Sequence, residues 1–430
     1  MNISTFMISL FFVTLTMAAE VIDYPTTLYT FPTEFEPAFC SLLYNPDTGG
    51  YDLAYSSFTG IPDEPDRVLR VSTVSQNYLD KTKMQSQLIT DEILWPNEIG
   101  QVPYGAFGSS NYWTSASAFF LPEKDNGSIS LIDMTDPLNP GKPIWISSEQ
   151  GKEWYYHRVL WHDMDYDGDY DAVTARAYGN EVVATEAELV WFENPGINPP
   201  PEHWETHVII SGYEDVGLRI ENLPLPDGSE TLVIFSSGFF SQSLTLTWTT
   251  DGDWKNSASI QHRVIDDAGW YFDLQVADLN VDGKKDILVT TWARPNLDAH
   301  GSLLAYEMPD GDWRTENWIK QVLTTDFRDV YLFPGNGAPG SPIPFWRSKA
   351  MELNGEKPHI ILSGDDDGHA YLLVPNSEDP LDWTYKKSTI FRALGTVGTI
   401  AVGDIDGDGY TEMFIPGYST NQIVVMTYKP

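Results

Sequence analysis

Three short segments of the chain place acidic side chains at alternating positions ahead of a glycine. They are 160–176 (LWHDMDYDGDYDAVTAR), 275–291 (QVADLNVDGKKDILVTT) and 401–417 (AVGDIDGDGYTEMFIPG). A calcium ion takes six to eight oxygen ligands at about 2.3–2.6 Å, and a short loop supplies them by pointing alternate side chains inward. Gly168, Gly283 and Gly409, at the sixth position of each loop, suit the sharp turn that this geometry needs. The pattern therefore predicts three metal-binding loops.

The predicted ligands are the side chains at loop positions one, three, five and nine, together with the backbone carbonyl at position seven. In the first loop they are Asp163, Asp165, Asp167 and Asp171 with the carbonyl of Asp169. In the second they are Asp278, Asn280, Asp282 and Asp286 with the carbonyl of Lys284. In the third they are Asp404, Asp406, Asp408 and Glu412 with the carbonyl of Tyr410. No Cys or His joins these sets, which argues against zinc, and a flexible oxygen site suits calcium better than magnesium. We expect about three structural calcium ions.

Two other interpretations of the acidic segments compete with this one. An EF-hand needs a glutamate at loop position twelve and flanking helices, but that position holds Thr174, Val289 and Ile415, each inside a strand-like run. The segments are also compatible with hairpin turns that bind no metal, because Asp and Gly favour turns. Carboxylates packed this densely repel one another unless a cation neutralises them, which favours the metal-binding interpretation.

The segments that must position these loops are short runs rich in Val, Ile, Thr, Tyr, Phe and Trp, separated by Gly, Pro, Asn and Asp. This pattern is typical of an all-β chain. Each acidic segment reads as strand, turn, strand and is followed by further strand-like runs, which gives a four-stranded repeating unit. Weaker copies occupy 42–57, 112–140, 219–235 and 350–362. Seven such units predict a seven-bladed β-propeller with four-stranded blades.

The two ends of the chain predict how the ring closes. After the third acidic loop only two strand-like runs remain, so the last blade lacks its outer strand. The segment 26–33 (TTLYTFPT) is similar to the fourth-strand segments 204–210 and 387–392. The amino-terminal strand is therefore expected to complete the last blade, which removes an exposed sheet edge. Residues 20–430 then form one propeller domain.

The first residues predict export of the chain. Met1 to Ala19 combines an apolar run with small residues at its end, as in a secretory signal peptide, and no later run has the ~20 apolar residues that span a bilayer. Secretion would make Asn126, in Asn126-Gly127-Ser128, a glycosylation site. The formal net charge of −37 argues against nucleic acid and anionic membranes as partners. The single cysteine, Cys40, allows no internal disulfide and lies in an apolar run typical of a buried thiol.

The acidic loops and their flanking strands resemble the FG-GAP repeats of the integrin-alpha propeller and the related VCBS repeats of secreted proteins. The segment 190–196 (VWFENPG) is similar to a phrase found in the VCBS branch. The resemblance implies a seven-bladed propeller with calcium in the hairpin between the two inner strands of some blades. The resemblance is strong in three units and loose in four. It therefore implies calcium in blades three, five and seven but not in blades one, two, four and six.

A propeller commonly binds its ligand at one mouth of the central channel, near the starts of the inner strands. By this argument His157, Arg158, Asp273 and Arg347 are expected to approach one another and to attract a carboxylate, such as a uronic acid or an acidic peptide side chain. Alternatively, each of them pairs with a neighbouring Asp. Further candidates at comparable positions are Trp161, His162, Arg219, Trp270 and Trp346.

Three functions remain open on the sequence alone. The first is an extracellular binding module for a glycan or a protein. The second is a sugar-active lyase or dehydratase with a site at the channel mouth. The third is an acidic structural protein that associates with calcium. No nucleophile elbow, phosphate loop, HExxH or dinucleotide motif is present, so the sequence does not decide whether the chain is an enzyme.

Overall fold

The computed structural model describes residues 24–430 except 62, 109–110, 120, 122, 148–153, 181–182, 293–299 and 330–336. The predicted signal peptide, Met1 to Ala19, lies outside the described residues. Within them, no helix has the length and apolar character required to cross a membrane.

In the described part of the chain, twenty-eight strands form seven antiparallel sheets of four strands each. Blades one to four are formed by β2 (Cys40–Asn45), β3 (Gly50–Ser57), β4 (Arg67–Val71), β5 (Ser86–Thr90); β6 (Pro96–Gln101), β7 (Tyr112–Ser117), β8 (Ile129–Asp133), β9 (Ile144–Trp145); β10 (Tyr155–His162), β11 (Asp171–Asn180), β12 (Val183–Glu193), β13 (Glu205–Ser211); and β14 (Gly217–Pro224), β15 (Glu230–Gly238), β16 (Ser243–Thr249), β17 (Ile260–Asp266). Blades five to seven are formed by β18 (Trp270–Ala277), β19 (Asp286–Trp292), β20 (Gly301–Glu307), β21 (Ile319–Phe327); β22 (Pro342–Phe345), β23 (His359–Ser363), β24 (His369–Pro375), β25 (Tyr385–Arg392); and β26 (Ala401–Gly403), β27 (Glu412–Gly417), β28 (Gln422–Thr427), β1 (Thr26–Pro32).

The sheets close into a ring around a central channel. The first strand of each blade contacts the first strand of the next, from β2 through β6, β10, β14, β18, β22 and β26 back to β2. These first strands are therefore the inner strands. The predicted seven-bladed, four-stranded propeller is confirmed.

The predicted closure by the amino-terminal strand is also confirmed. β1 pairs antiparallel with β28, with Thr30 opposite Val424 and Phe31 opposite Ile423, and becomes the fourth strand of blade seven. The Phe31 side chain is 1% exposed and packs between blades seven and one. The β28 edge is thereby paired instead of being left open for association with other chains.

Apolar side chains fill the spaces between adjacent blades. Each of the seven blade junctions contains a cluster of buried residues from both neighbours; for example, Val173 and Leu189 of blade three pack with Leu218 and Ile234 of blade four. The alternation of strand residues explains this arrangement, because the two faces of each sheet are covered by different neighbours. Cys40 is buried among these residues as a free thiol, as predicted, and burial raises the pKa of the thiol.

Short helices interrupt two blades. α1 (Val74–Asn77) follows β4, and α2 (Lys349–Leu353) lies between β22 and β23; two 3-10 turns occupy Lys81–Lys83 and Tyr418–Thr420. In the weak repeat at 350–362, the expected first strand is wrong, because α2 occupies its start and the inner strand β22 ends earlier, at Phe345. Ser348 caps α2 through a hydrogen bond from the Met351 N–H to its hydroxyl.

Candidate functional site

The three acidic loops join the first and second strands of blades three, five and seven, and they share one backbone course. The fourth residue of each has a left-handed conformation: φ is 62° at Tyr166, 64° at Val281 and 73° at Gly407. The glycines at the sixth position are also left-handed, with φ of 100°, 88° and 89°. This shared geometry agrees with the sequence alignment of the loops, and it explains why glycine at position six suits all three.

The first carboxylate of each loop folds the loop around itself. Asp163 accepts hydrogen bonds from the N–H groups of Asp167 and Gly168, both at 3.1 Å. Asp278 accepts the equivalent bonds in blade five, at 3.1 and 2.8 Å, and Asp404 those from Gly407 and Gly409 in blade seven. The same oxygens thus hold the turn in shape and face the interior of the loop.

The carboxylate at position nine is buried and ties the loop to its blade. Asp171 accepts hydrogen bonds from the N–H groups of Met164 and Asn194, both at 2.8 Å. Asp286 and Glu412 hold the equivalent places, and burial raises the pKa of all three acids to about 7. Burial of an anionic carboxylate is unfavourable without a compensating charge, so these positions suit the neighbourhood of a cation.

In the first and third loops, the carboxylates converge on small volumes. One oxygen each of Asp163, Asp165 and Asp171 lie within 4.8 Å of one another, and the same holds for Asp404, Asp406 and Glu412. Asp165 Oδ1 is buried and has no hydrogen-bond partner among the described residues. An inward carboxylate oxygen without a donor is the feature that a metal ligand requires, so the donor set fits a hard cation.

A lysine ammonium lies beside a carboxylate of each loop. Lys255 Nζ is 2.8 Å from Asp165, Lys284 Nζ is 3.0 Å from Asp282, and Lys429 Nζ is 2.8 Å from Asp408. Lys255 also pairs with Glu193, whose carboxylate is 2.7 Å from His207 Nε2. These ammonium groups offset part of the repulsion within the loops.

A recess opens at the channel mouth opposite the acidic loops. We call it the mouth pocket; its volume is about 300 Å³. It is lined by residues from all seven blades: Ala38, Phe39, Phe58, Trp95, Asn97, Phe119, Leu121, Tyr155, His157, Val216, Phe239, Phe240, Phe272, Trp292, Gly340, Ser341, Ser363, Asp365, Asp366, Thr396, Gly398, Thr399 and Tyr418. The lining comes from the starts of inner strands and the ends of second strands. The first residue of β10, Tyr155, lines the pocket, and the last, His162, leads into an acidic loop. The seven steps between them, at ~3.3 Å each, separate the two ends by roughly 23 Å.

The aromatic lining follows a sequence signal that our sequence analysis missed. An aromatic residue occurs at or just after the end of the second strand in five blades: Phe58, Phe119, Phe239, Trp292 and Tyr418. Since equivalent positions of a propeller face one axis, this recurrence predicts an aromatic ring at one mouth. Blade six departs from it and places Asp365 and Asp366 there.

The rings form two packed groups. Trp95 stacks on Phe58 and Phe119, with centroid distances of 4.3 and 5.2 Å. Trp292 packs against Phe239 and Phe272 at 4.8 and 4.7 Å. The pocket is therefore held by rings from blades one, two, four and five, which gives it a rigid apolar wall.

The acidic side of the pocket is formed by two adjacent residues. Asp366 accepts hydrogen bonds from Thr396 Oγ1 at 2.6 Å and from the Gly337 N–H at 3.0 Å. Asp365 has a left-handed backbone, with φ of 53°, and its carboxylate accepts no hydrogen bond from the described part of the chain. Burial raises the pKa of Asp365, and the carboxylates of Asp366, Asp329 and Asp367 raise it further.

His157 lies in the wall of the same pocket. Its ring is 3% exposed and packs edge-on against Phe39 and Phe272, with centroid distances of 5.5 and 5.6 Å. Its Nδ1 atom is buried without a hydrogen-bond partner among the described residues. Burial, and then the charge of Arg158, lower the pKa of His157 to about 3, so the ring is neutral at physiological pH.

Three inner strands carry a one-residue bulge at the same height. The register shifts between Pro96 and Ile99 in β6, between Tyr156 and Val159 in β10, and between Tyr271 and Leu274 in β18. The bulged pairs are Asn97-Glu98, His157-Arg158 and Phe272-Asp273. In each pair the first residue lines the mouth pocket and the second joins an ionic cluster. The bulges therefore place one side chain of each pair at the pocket and the other in the ionic cluster.

The ionic cluster comprises Arg158, Asp273, Glu98 and Arg219. The Arg158 guanidinium is 4% exposed, donates to Asp273 through Nη1 and Nη2, and donates to Glu98 through Nε. The Arg158 and Arg219 charges hold the pKa of Asp273 well below its usual range, against the opposing effect of burial. Burial, and then the charge of Arg158, lower the pKa of Arg219 to about 10. Two cations and two anions thus offset each other within the cluster.

Arg347 does not join this cluster. It follows the end of β22, where its Nε contacts Met351 Sδ at 2.8 Å and its carbonyl accepts the Thr411 N–H beside the third acidic loop. The prediction that Arg347 approaches the other three residues is therefore wrong. The alignment placed Arg347 before a turn, but α2 takes the place of that turn. Ligand binding by His157, Arg158 and Asp273 stays a prediction.

The remaining sequence candidates have structural surroundings. Trp161 packs against Trp204, the Trp346 indole N–H donates to the Glu356 carbonyl, and burial lowers the pKa of His162. Trp270 packs against Phe239. Asn126 is exposed, so its amide is accessible to modification if the chain is exported.

Comparisons with known proteins found similarity to solved structures alone. No protein-family model matches the chain, and no curated protein matches it. Among solved structures, the chain is similar to the Dos1 propeller at 11% identity, covering 93% of this chain and 96% of that one with a TM-score of 0.47. It is also similar to a glucose dehydrogenase at 11% identity, over 79% and 97% of the chains with a TM-score of 0.42, and to an endo-arabinase from Bacteroides thetaiotaomicron at 12% identity, over 66% and 99% with a TM-score of 0.35. At these identities and TM-scores, none of the three likenesses carries an inference about this chain.

Proposed function

We propose that the chain is a secreted, calcium-stabilised β-propeller that acts as an extracellular binding module and holds its ligand in the mouth pocket. The observation that carries this proposal is the aromatic recess to which all seven blades contribute. A concave, mostly apolar site with a few polar groups is the usual form of a ligand site. The ligand classes favoured by the sequence, a glycan or a protein, both present groups small enough for this recess.

A binding role is favoured over catalysis by the state of the ionisable groups. A sugar-active lyase or dehydratase needs a group that exchanges protons near neutral pH. His157 is held neutral by its lowered pKa, and Arg158 is buried between Asp273 and Glu98. A base with so low a pKa accepts protons poorly near neutral pH, and the paired Arg158 guanidinium does not release one. Catalysis is kept as the second candidate because His157 and acidic residues line one pocket.

Calcium in the three acidic loops is part of the proposal. The backbone shared by the three loops, the converging carboxylate oxygens of the first and third loops, and Asp165 Oδ1, which has no hydrogen-bond partner among the described residues, support it. The residues that would hold the ions are those predicted from the sequence, and the ions would neutralise carboxylates and fix the first turn of three blades. Because these loops lie far from the mouth pocket, their role is structural. Membership of the FG-GAP and VCBS repeat group is proposed on the same loops.

Binding measurements separate the candidates. Protein saturated with calcium is applied to arrays of glycans and extracellular proteins, and each retained compound is incubated with the protein and analysed for products. Trp95→Ala removes one ring of the pocket wall, and Asp310→Asn, on a fully exposed residue near the second loop, serves as control. Retention that Trp95→Ala abolishes and Asp310→Asn preserves supports the proposal. Product formation favours the enzyme, and ligands unaffected by Trp95→Ala would place the site elsewhere.

A calcium titration distinguishes the proposed binding module from the third candidate, an acidic structural protein that associates with calcium. The proposal expects three tight sites by calorimetry, whereas a protein that buffers calcium or associates with mineral would show many weak sites in addition. Removal of calcium by a chelator should lower the melting temperature, because an ion that binds only the folded state stabilises that state.

A further inference from the structure

The mouth pocket combines aromatic rings with a carboxylate, Asp365, that has no basic partner among the described residues. The charges acting on Asp365 come from the carboxylates of Asp366, Asp329 and Asp367, all of the same sign. A recessed carboxylate in such surroundings lacks the counter-charge that buried acids normally have. A ligand with a positive charge would supply it.

The aromatic wall suits the same kind of ligand. Trp95 and Trp292 each pack with two further rings on the two sides of the pocket. Aromatic rings attract cations through their negative faces, Trp most strongly, and this attraction grows when water is excluded. The rings also offer apolar area to alkyl groups.

Apart from Asp365 and His157, several polar side chains of the pocket are already engaged with the protein. Asn97 Nδ2 donates to the carbonyls of Ala118 and Tyr156, both at 2.8 Å, and Thr396 Oγ1 donates to Asp366. The hydroxyls of Ser341 and Thr399 bond to each other at 3.1 Å. A ligand rich in hydroxyl groups would therefore find few partners here, whereas an alkylated ammonium ion requires none beyond a negative charge.

The nearby cations do not oppose this ligand. His157 is neutral, and its partnerless Nδ1 lies in the pocket wall with no donor or acceptor among the described residues. Arg158 and Arg219 belong to the ionic cluster, where Asp273 and Glu98 offset their charges. The groups of the pocket that no cation among the described residues compensates are thus the Asp365 and Asp366 carboxyls, whose pKa burial raises and whose ionised form a bound cation would favour.

We propose that the mouth pocket binds an alkylammonium ion, a quaternary or N-methylated amine, with its charge at Asp365 and its alkyl groups against the aromatic wall. This inference rests on the proposed function, which assigns the ligand site to the same pocket. The charged group belongs either to a free small molecule or to a methylated lysine side chain.

Calorimetry with matched cationic and neutral ligands tests the charge. Choline is compared with 3,3-dimethylbutan-1-ol, in which carbon replaces the ammonium nitrogen, and with the free amino acid Nε-trimethyl-lysine. We expect choline to bind at least about tenfold more tightly than its neutral isostere, a ratio that corresponds to about 1.4 kcal/mol. Tighter binding of trimethyl-lysine than of choline would assign the source to a protein side chain, and the reverse to a small molecule.

Variants locate the charge in the pocket. Asp365→Asn removes the charge and keeps the shape, and Asn tolerates the left-handed backbone at this position. It should weaken choline binding at least about tenfold, and Trp95→Ala should do the same. Asp379→Asn, an exposed acid of the same blade, should leave it unchanged. Unaltered melting temperatures confirm folding.

Two results would overturn the inference. One is equal binding of choline and its neutral isostere, and the other is binding of neither. If choline and its isostere both fail to bind, the wild type can still retain another ligand that Trp95→Ala does not retain. In that case the proposed function stands and the alkylammonium assignment fails. If no retained ligand responds to Trp95→Ala, the proposed function fails as well.

Discussion

Arg158 and Asp273 are 115 positions apart in the sequence, yet their side chains form a two-point ion pair across the central channel, at 2.5 and 3.3 Å. The pair exists because inner strands of blades three and five each contain one extra residue at this height. The Thr174 hydroxyl donates to the Arg158 carbonyl at 2.6 Å, which satisfies a backbone group that the bulge releases from the ladder. The bulges thus connect blades that are not neighbours.

Removal of Arg158 should destabilise the fold strongly. Arg158→Ala leaves Asp273 and Glu98 without their main partner in a buried setting, and breaking a buried pair in this way costs about 3–5 kcal/mol of unfolding free energy. Arg314→Ala is the control, since Arg314 is partly exposed and pairs with Asp312 two residues away; it should cost less than about 1 kcal/mol. Urea unfolding measures both. Equal losses would show that the channel pair is not stabilising.

The sequence predicts the fold well because the relevant signals are local and repeated. Strand alternation and turn residues recur along the chain, acidic loops mark three of the seven units, and the similarity of 26–33 to other fourth strands predicts the closure. The loop geometry follows from the same local signals, since Gly168, Gly283 and Gly409 all adopt the conformation expected of them.

The sequence predicts the channel less well because its geometry depends on register. A bulge shifts one residue between faces and has no residue type of its own, so the separate places of His157 and Arg158 could not be derived from the pattern. Arg347 was misplaced because a helix replaces the expected turn in blade six. The role proposed for Asp365 could not be predicted from the sequence, because it depends on rings of other blades that come close to Asp365 only in the folded chain.

Loss of a loop carboxylate should reduce stability in a calcium-dependent way. Asp165→Ala and Asp282→Ala each remove one predicted ligand and leave the other carboxylates of the loop crowded, so the melting temperature in saturating calcium should fall. The further decrease caused by a chelator should be smaller than in the wild type, because one ion is already lost. Thermal unfolding with and without chelator measures both effects. Asp310→Ala, outside the ligand sets, is the control; wild-type behaviour of Asp165→Ala and Asp282→Ala would contradict the structural role of the ions.

Weakening of the closing strand should open the ring. Phe31→Ala removes a fully buried ring from β1, and a change of this type costs about 3–5 kcal/mol. Because β1 covers the β28 edge, the variant should also associate at concentrations where the wild type is monodisperse. Light scattering and urea unfolding measure the two effects. Thr27→Ala, at an exposed position of the same strand, should behave as the wild type. A destabilised Phe31→Ala protein that does not associate would argue against exposure of the edge.

The last prediction concerns Glu214, a fully buried acid of blade four. Its Oε1 accepts a hydrogen bond from Thr245 Oγ1 at 3.2 Å and lies 3.5 Å from His262 Nδ1, and its Oε2 has no partner among the described residues. Burial raises the pKa of Glu214 to about 8, and burial lowers the pKa of His262 to about 4. At neutral pH both side chains are therefore mostly uncharged.

The sign of the resulting pH dependence follows from linkage. A carboxyl group whose pKa is higher in the folded than in the unfolded chain contributes stability that is complete below about pH 4.5 and is lost as the pH rises through about 8. Glu214→Gln mimics the neutral acid at every pH. The variant should match the wild type at pH 5 and exceed its unfolding free energy at pH 9 by a few kcal/mol, at about 1.4 kcal/mol per unit of pKa difference. Burial raises the pKa of Asp215 to about 6, and because Asp215 remains in both proteins, part of the pH dependence of the unfolding free energy remains in the variant.

Urea unfolding at pH 5, 7 and 9 in saturating calcium measures the difference between the two proteins. Glu230→Gln, at an exposed position of the same blade, is the control for the lost charge. A variant whose stability falls between pH 5 and 9 as steeply as that of the wild type would show that Glu214 is ionised in the folded chain throughout this range.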